Sequence, residues 1–292
     1  MKTSVIFFPF DLFGSGGSAA GAEVLADALL EVLADNRRET VATRAASYTP
    51  HVRVRQFSFD TLTKYQSWRQ DGRKAVRQAL RRRDFLVWVA GNHLGALPVY
   101  DEFAALAARS AADAPLIVQF DAHLDVHHFA DCTRELSHGN FLLHCDRPLP
   151  PLVNIGHRDL LLPDDYVRQF YRMTFPASEL ALDAGSALKQ VAVACSTASS
   201  VFLDIDCDVF DAAFFPGIGQ PVPFGLSPQQ LLSFIEGLWS ERVAGVLLSE
   251  FDPGRDQNDR SLATLLWLLE YLLLKRHEPR RQAGTTRPSL DS

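Results

Sequence analysis

Apolar runs of strand length recur along the chain, and each gives way to a stretch with helical spacing. The runs are SVIFF (Ser4 to Phe8), FLVWVA (Phe85 to Ala90), PLIVQF (Pro115 to Phe120), SVFLDID (Ser200 to Asp206) and VAGVLLSEF (Val243 to Phe251). They are nearly continuous in apolar residues rather than alternating, the pattern of strands covered on both faces. Between them, AAGAEVLADALLEVLADN (Ala19 to Asn36) repeats apolar residues at helical spacing. In LSPQQLLSFIEGLW, Ser227 has the place of an N-cap and Pro228 that of the first helical residue. RSLATLLWLLEYLLLK (Arg260 to Lys275) is so apolar that much of its surface must be buried. Strands alternating with helices predict an α/β domain over residues 1–275, built on a parallel sheet covered on both faces. No internal repeat interrupts it. Residues 276–292 are polar, contain prolines and are expected to form a disordered tail.

Composition narrows the partners. The 292 residues are 47% hydrophobic and 22% charged, ordinary for a globular chain with a large core. A net charge of −6 argues against general binding to nucleic acid or an anionic membrane. The run RKAVRQALRRRD (Arg73 to Asp84) is a local exception, and its spacing suits a solvated helix face better than a polyanion site. Four cysteines with no CxxC predict reduced thiols and a cytoplasmic protein. The opening MKTSVIFFPFD is cut by Pro9 and Asp11, so it predicts a first strand rather than a signal peptide. No uncharged apolar stretch reaches membrane-spanning length.

The chemistry sits at strand ends. Asp121, His123 and Asp125 alternate after PLIVQF, which would place them on one face of the end of a strand. His93 follows FLVWVA, Asp204, Asp206 and Asp208 alternate in DIDCDVFD, and Glu250 closes VLLSE. Ligands of open parallel sheets gather beyond the carboxyl ends of the strands, so four such ends deliver these groups to one crevice. Buried carboxylates converge only around a cation. Taken singly, an Asp-x-Asp is more often a loop or a cap, and a histidine at a strand end is more often structural. Their joint occurrence decides. Carboxylate oxygen with imidazole suits Mn²⁺ better than Zn²⁺ or Fe²⁺. The carboxylates outnumber what one divalent ion neutralises, which predicts two ions bridged by shared aspartates and activating a water.

The segments VAGNHLGALPV, DAHLD, DIDCDVFDAAFFPGIGQPVPFGLS and SEFDPGRD resemble, in order, the metal and substrate motifs of the arginase/agmatinase (ureohydrolase) family. The resemblance runs from about Phe85 to Leu274. It implies a three-layer α/β/α fold with a central parallel sheet, arginase/deacetylase-like. It also implies a two-manganese centre that hydrolyses a guanidinium or related amidine to urea, or its analogue, and an amine. On this resemblance one ion takes His93, Asp121, Asp125 and Asp206, and the other takes His123, Asp121, Asp206 and Asp208. Asp204 stands where the family usually has a small uncharged residue, which implies a supporting rather than a ligating role. Glu250 corresponds to the carboxylate that pairs with the guanidinium, and Asp125 to the one that orients the attacking water. His138 follows Asp125 by thirteen residues, the family's spacing for the histidine that relays a proton to the leaving amine.

Departures from the family bear on the substrate. In VHHFADCTRELS, His127 replaces an asparagine, Cys132 a threonine and Arg134 a serine of the loop that binds the α-carboxylate of free arginine. In GHRDLLLPDD, Leu161 replaces the aspartate that reads the α-amino group, while Asp159 is kept and Asp164 falls near a second acidic contact. Losing both halves of the clamp argues against free arginine. The favoured substrate is arginine within a precursor peptide, converted to ornithine, with His127, His128, Asp131, Arg134 and Glu135 forming an open rim. The alternatives are a small guanidine of agmatinase, guanidino-acid or formimidoylglutamate type, and a catalytically idle metal-binding interaction protein. Oligomeric state is left open.

Overall fold

The computed structural model describes residues 1–14, 16–109, 114–130 and 132–279. Eight strands, β1 (Thr3–Phe8), β2 (Val52–Gln56), β3 (Phe85–Ala90), β4 (Leu116–Phe120), β5 (Leu152–Ile155), β6 (Met173–Phe175), β7 (Val201–Asp206) and β8 (Val243–Ser249), form one sheet. Their order is β2-β1-β3-β8-β7-β4-β5-β6, and every pairing is parallel. The helices are α1 (Ser18–Arg38), α2 (Leu62–Arg81), α3 (Leu97–Ala107), α4 (Asp164–Val167), α5 (Ala177–Thr197), α6 (Pro228–Leu238) and α7 (Arg260–His277).

Strand alternation sorts the core into two layers. Val5, Phe7, Val87, Val118 and Leu203 face α1, α5, α6 and α7, whereas Ile6, Phe8, Trp88, Ile117 and Phe202 face α2 and α3. That is the expected three-layer arrangement, and the five apolar runs are five of its strands. The remaining three strands escaped prediction for separate reasons. β2 is an edge strand whose VRVRQ buries only Val52, β5 has four residues, and β6 has three. Ser227 caps α6 as expected, accepting from the Gln230 amide at 3.2 Å.

Two expectations need correction. The arginine run is exposed as expected at Arg77, Arg81, Arg82 and Arg83 but not at the half-buried Arg73, and Arg73 and Arg77 of α2 both bond Glu102 of α3 at 2.8–3.0 Å. The C-terminal helix continues past residue 275 to His277, and Glu278 pairs with Arg44 at 2.6 Å. Residues 280–292 of the expected tail lie outside the described residues. Among the described residues the cysteines form no disulfide, and no helix is long and apolar enough to cross a membrane.

Candidate active site

The acidic residues do converge beyond the strand ends, but turns rather than strand pleats bring them together. β4 stops at Phe120, so Asp121, His123 and Asp125 are not a strand face. Asp125 has φ 49°, in the left-handed region, and this reversal points its carboxylate back at His93. Asp206 is the last residue of β7, and Asp208 lies in the one-turn helix Cys207–Val209 that follows. Its amide donates to Asp206 Oδ1 at 2.7 Å. Glu250, just past β8, has φ 62°, and its amide donates to Gly91 O at 2.8 Å. A left-handed non-glycine residue costs roughly 1–2 kcal/mol, and both examples here are carboxylates where the chain leaves its strand.

His93 is 1% exposed and stands at the middle of the cluster. Its Nδ1 is 2.8 Å from Asp125 Oδ2, 3.0 Å from Asp206 Oδ2 and 3.2 Å from Asp121 Oδ2. Despite these distances His93 Nδ1, Asp121 Oδ2 and Asp125 Oδ2 have no partner in hydrogen-bond geometry, and neither has Asp208 Oδ1. His123 Nδ1 lies 3.6 Å from Asp121 Oδ1 and 3.7 Å from Asp208 Oδ2. Potential ligand atoms of His93, Asp121 and Asp125 fall within 4.8 Å of one another.

Protonation behaviour carries the same message. Burial, with Asp121 beside it, pushes Asp206 up to about 7, and burial with Asp206 beside it pushes Asp208 well above the carboxylate range. Asp125 is raised by burial and by Asp121. Burial opposes a charge on His93 and His123 too, yet the facing aspartates prevail, raising His93 well above the usual imidazole value and His123 to about 10. The cluster is short of positive charge and must take up protons or a cation. Of the unpartnered buried atoms, those of His93, Asp121 and Asp125 lie close enough together to fit a divalent ion.

Beside this cluster lies a second pair. His138 opens the short helix His138–His144, and its amide donates to Phe13 O at 3.1 Å. His138 Nδ1 is 3.1 Å from Glu250 Oε1, which also accepts the His93 amide at 2.8 Å. Burial would lower the His138 pKa, but Glu250 outweighs it and the imidazole is raised. The motifs assign these two residues separate tasks; in the fold they touch.

The rim is only partly assembled as expected. His127 Nε2 is 3.0 Å from Asp159 Oδ2, and Asp159 Oδ1 accepts the Leu161 and Leu162 amides at 2.9 and 2.7 Å. Burial favours a neutral Asp159, but His127 and those amides hold it down to about 2. Leu161 is 73% exposed, Arg134 is exposed, and Asp164 points outward to pair with Arg168 at 3.7 Å. His128 stacks on Tyr166, with ring centroids 4.1 Å apart. Asp131 lies outside the described residues. Motif reading also missed Tyr100, whose hydroxyl donates to Asp204 Oδ2 at 2.5 Å while that oxygen faces His93 Nε2 at 3.0 Å. A contact across 104 positions leaves no mark on sequence spacing.

A sequence model described as the Arginase family matches residues 1–274. An agmatinase from Serratia proteamaculans is 28% identical over 191 residues, covering 63% of this chain and 58% of that protein. A formimidoylglutamase from Halobacterium salinarum is 29% identical over 185 residues, covering 59% of this chain and 60% of that protein. The chain thus spans less than two thirds of the length of these curated relatives. Among solved structures, an arginase from Bacillus subtilis superposes with a TM-score of 0.74 at 21% identity, over 94% of this chain and 98% of that one. A formimidoylglutamase from the same species gives 0.75 at 17% identity, over 96% and 89%. Both share the fold.

Proposed function

The chain belongs to the arginase family, and on that premise we propose that it is a metal-dependent hydrolase cleaving a C–N bond of a guanidino group or related amidine. The observation that carries this reading is the place of Glu250. Its carboxylate is fixed by the His93 amide and touches His138, so a cation-binding acid borders both the unpartnered metal donors and an imidazole. His93, Asp121, Asp125 and Asp206 would hold one divalent ion, and His123, Asp121, Asp206 and Asp208 the other, with Mn²⁺ favoured by the hard donors. When bound, such a pair acidifies water and stabilises developing negative charge.

The chain's own residues do the rest. Glu250 offers a planar guanidinium two parallel acceptors, which fixes its orientation. Asp125 accepts a hydrogen bond from the attacking water and aims it at the guanidinium carbon. Glu250 raises the His138 pKa and so favours its protonated form. His138 delivers a proton to the leaving amine nitrogen, and the proton that the water gives up restores it. The products are an amine and urea, or the corresponding amide for another amidine.

For the substrate, arginine within a peptide is the favoured reading. A charged α-amino group facing Leu161 instead of a carboxylate would forgo an ion pair that, at so exposed a position, is worth about 0.2–1 kcal/mol, or up to roughly fivefold in kcat/KM. An amide at the same point carries no charge and escapes most of that loss. A small guanidine is the second reading, favoured by matches to proteins named agmatinase and N(1)-aminopropylagmatine ureohydrolase. Urea release from a capped arginine peptide, agmatine and L-arginine, at matched low concentration with Mn²⁺, separates them. The peptide is expected to be turned over best. Agmatine as the best substrate would select the second reading, and L-arginine as the best would overturn the clamp argument. Urea from none of the three, nor product from formimidoylglutamate, would make the protein a non-catalytic member.

A further inference from the structure

Asp204 is 0% exposed, in the middle of a sheet strand, at a depth where a carboxylate is expensive to keep. It does not join the convergence on the far side of His93. Its Oδ2 lies 3.0 Å from His93 Nε2, while His93 Nδ1 faces Asp121, Asp125 and Asp206. The same oxygen accepts the Tyr100 hydroxyl at 2.5 Å, and Phe141 packs against the rings of both His93 and Tyr100, at 4.9 and 5.1 Å between centroids. Asp204 Oδ1 is buried without a partner. His123 differs: its side chain is 25% exposed, and the acids within reach of its ring, Asp121 and Asp208, both lie on its Nδ1 side.

We propose that Asp204, held in place by Tyr100 of α3, is a positioning residue that fixes His93 as a metal donor through Nδ1 and makes the His93 side of the centre the tighter of two ion positions. The physical reason is the division of labour within one imidazole. A neutral ring has one N–H and one lone pair, so a carboxylate that accepts from Nε2–H leaves the lone pair on Nδ1, directed at the acids. The acceptor also raises the basicity of the coordinating nitrogen and stops the ring from turning. Tyr100 donates to Asp204 and so cannot compete for the Nε2 proton. The Phe141 wall excludes water that would otherwise substitute for either contact. His123 has no comparable carboxylate contact on its other nitrogen among the described residues.

This inference rests on reading the cluster as a metal centre, and the test keeps the two apart. Metal-free protein, wild type and the variants Asp204→Ser and Tyr100→Phe, would be titrated with Mn²⁺, with ion binding followed by calorimetry and stoichiometry by metal analysis. The wild type is expected to bind two ions of unequal affinity. Asp204→Ser should weaken the tighter one by about 10–100-fold, the usual effect of removing a histidine's supporting partner, and leave the weaker one nearly unchanged. Tyr100→Phe should weaken the same ion by less. A ¹⁵N spectrum of protein loaded with Zn²⁺, a diamagnetic ion, should show His93 keeping its Nε2 proton with Nδ1 bound in the wild type, with that preference lost in Asp204→Ser. Two ions in all three proteins with unchanged affinities would overturn the role of Asp204 while sparing the metal centre. No ion bound by folded wild type would remove the metal reading itself. If Asp204→Ser fails to fold, Tyr100→Phe alone decides: unaltered affinity of the tighter ion overturns the proposal.

Discussion

Two clusters of buried acids meet at α3 and have opposite electrostatic outcomes. At Asp101 and Glu102 every carboxylate finds a guanidinium. Arg69 grips Asp101 through two bonds of 2.6 and 2.7 Å, and Arg73 and Arg77 share Glu102 at 2.8–3.0 Å. Burial alone would raise Glu102, but Arg77 and Arg73 bring it below its usual value. One residue earlier on the same helix, Tyr100 reaches the other cluster, where five aspartates face two histidines and, among the described contacts, no arginine or lysine pairs with their carboxylates. Arg158 stands beside it but donates to the backbone carbonyls of Asp208 and Val209. There Asp206 is driven up to about 7 and several polar atoms have no partner. A fold that pairs arginines with acids a few residues away leaves these carboxylates without such a partner, open to a cation from outside.

The comparison can be tested by breaking each cluster. The largest effect is expected from Asp206→Ala, which removes an acid shared by both proposed ion positions: metal content should fall to zero and turnover to background. Metal retained at wild-type level in that variant would contradict the shared role. Next comes the pair of intermediate character, an acid answered by an imidazole. His138→Ala should lower turnover by roughly a hundred- to ten-thousandfold with metal content intact. Unchanged turnover would remove His138 from the mechanism.

Arg69→Met belongs to the self-neutralised cluster. It should leave the metal ions in place and destabilise the fold by about 1–3 kcal/mol, because a buried acceptor loses its charged donor. Denaturant titration measures this, and a loss of metal without a loss of stability would mean that the two clusters are not independent. The smallest effect is a pH trend in protein stripped of metal. Asp206 titrates near 7 in the folded chain and near 4 in an unfolded one, so between those values the folded state binds more protons and stability is lost as pH rises. His93 and His123, also raised, act in the same direction. Glu102, lowered, acts oppositely only below the ordinary glutamate range. His277, lowered to about 4, and His157, also lowered, act oppositely below the ordinary imidazole value. They are outnumbered by the raised Asp125, Asp206, Asp208, His93 and His123. Stripped protein should therefore melt at a higher temperature near pH 5 than near pH 8. A melting temperature that rises with pH over that interval would contradict the charge imbalance.

The sheet was legible where burial is two-sided. FLVWVA and PLIVQF are continuous because both faces meet helices, and their ends point to the site through the topology of a parallel sheet. β2 was not legible, because an edge strand needs only one buried residue and VRVRQ could as well be loop. The identity of the converging acids could be read, but the manner of convergence could not. Positive φ at Glu250 is a tertiary constraint on a residue that shows no local preference for it, and at Asp125 on one that only tolerates it better than most. The same holds for the bonds of Arg73 and Arg77 to Glu102 on another helix, and for the Tyr100–Asp204 contact. Asp164, expected near an acidic contact of the rim, begins the short helix α4 and pairs outward with Arg168.

The central claim is that the unsatisfied cluster holds two divalent ions, and stoichiometry addresses it most directly. Protein stripped with chelator, reloaded with Mn²⁺, passed through a desalting column and assayed for both metal and urea-forming activity should carry two ions per chain when fully active. Full activity with one tightly bound ion per chain would contradict the two-ion account.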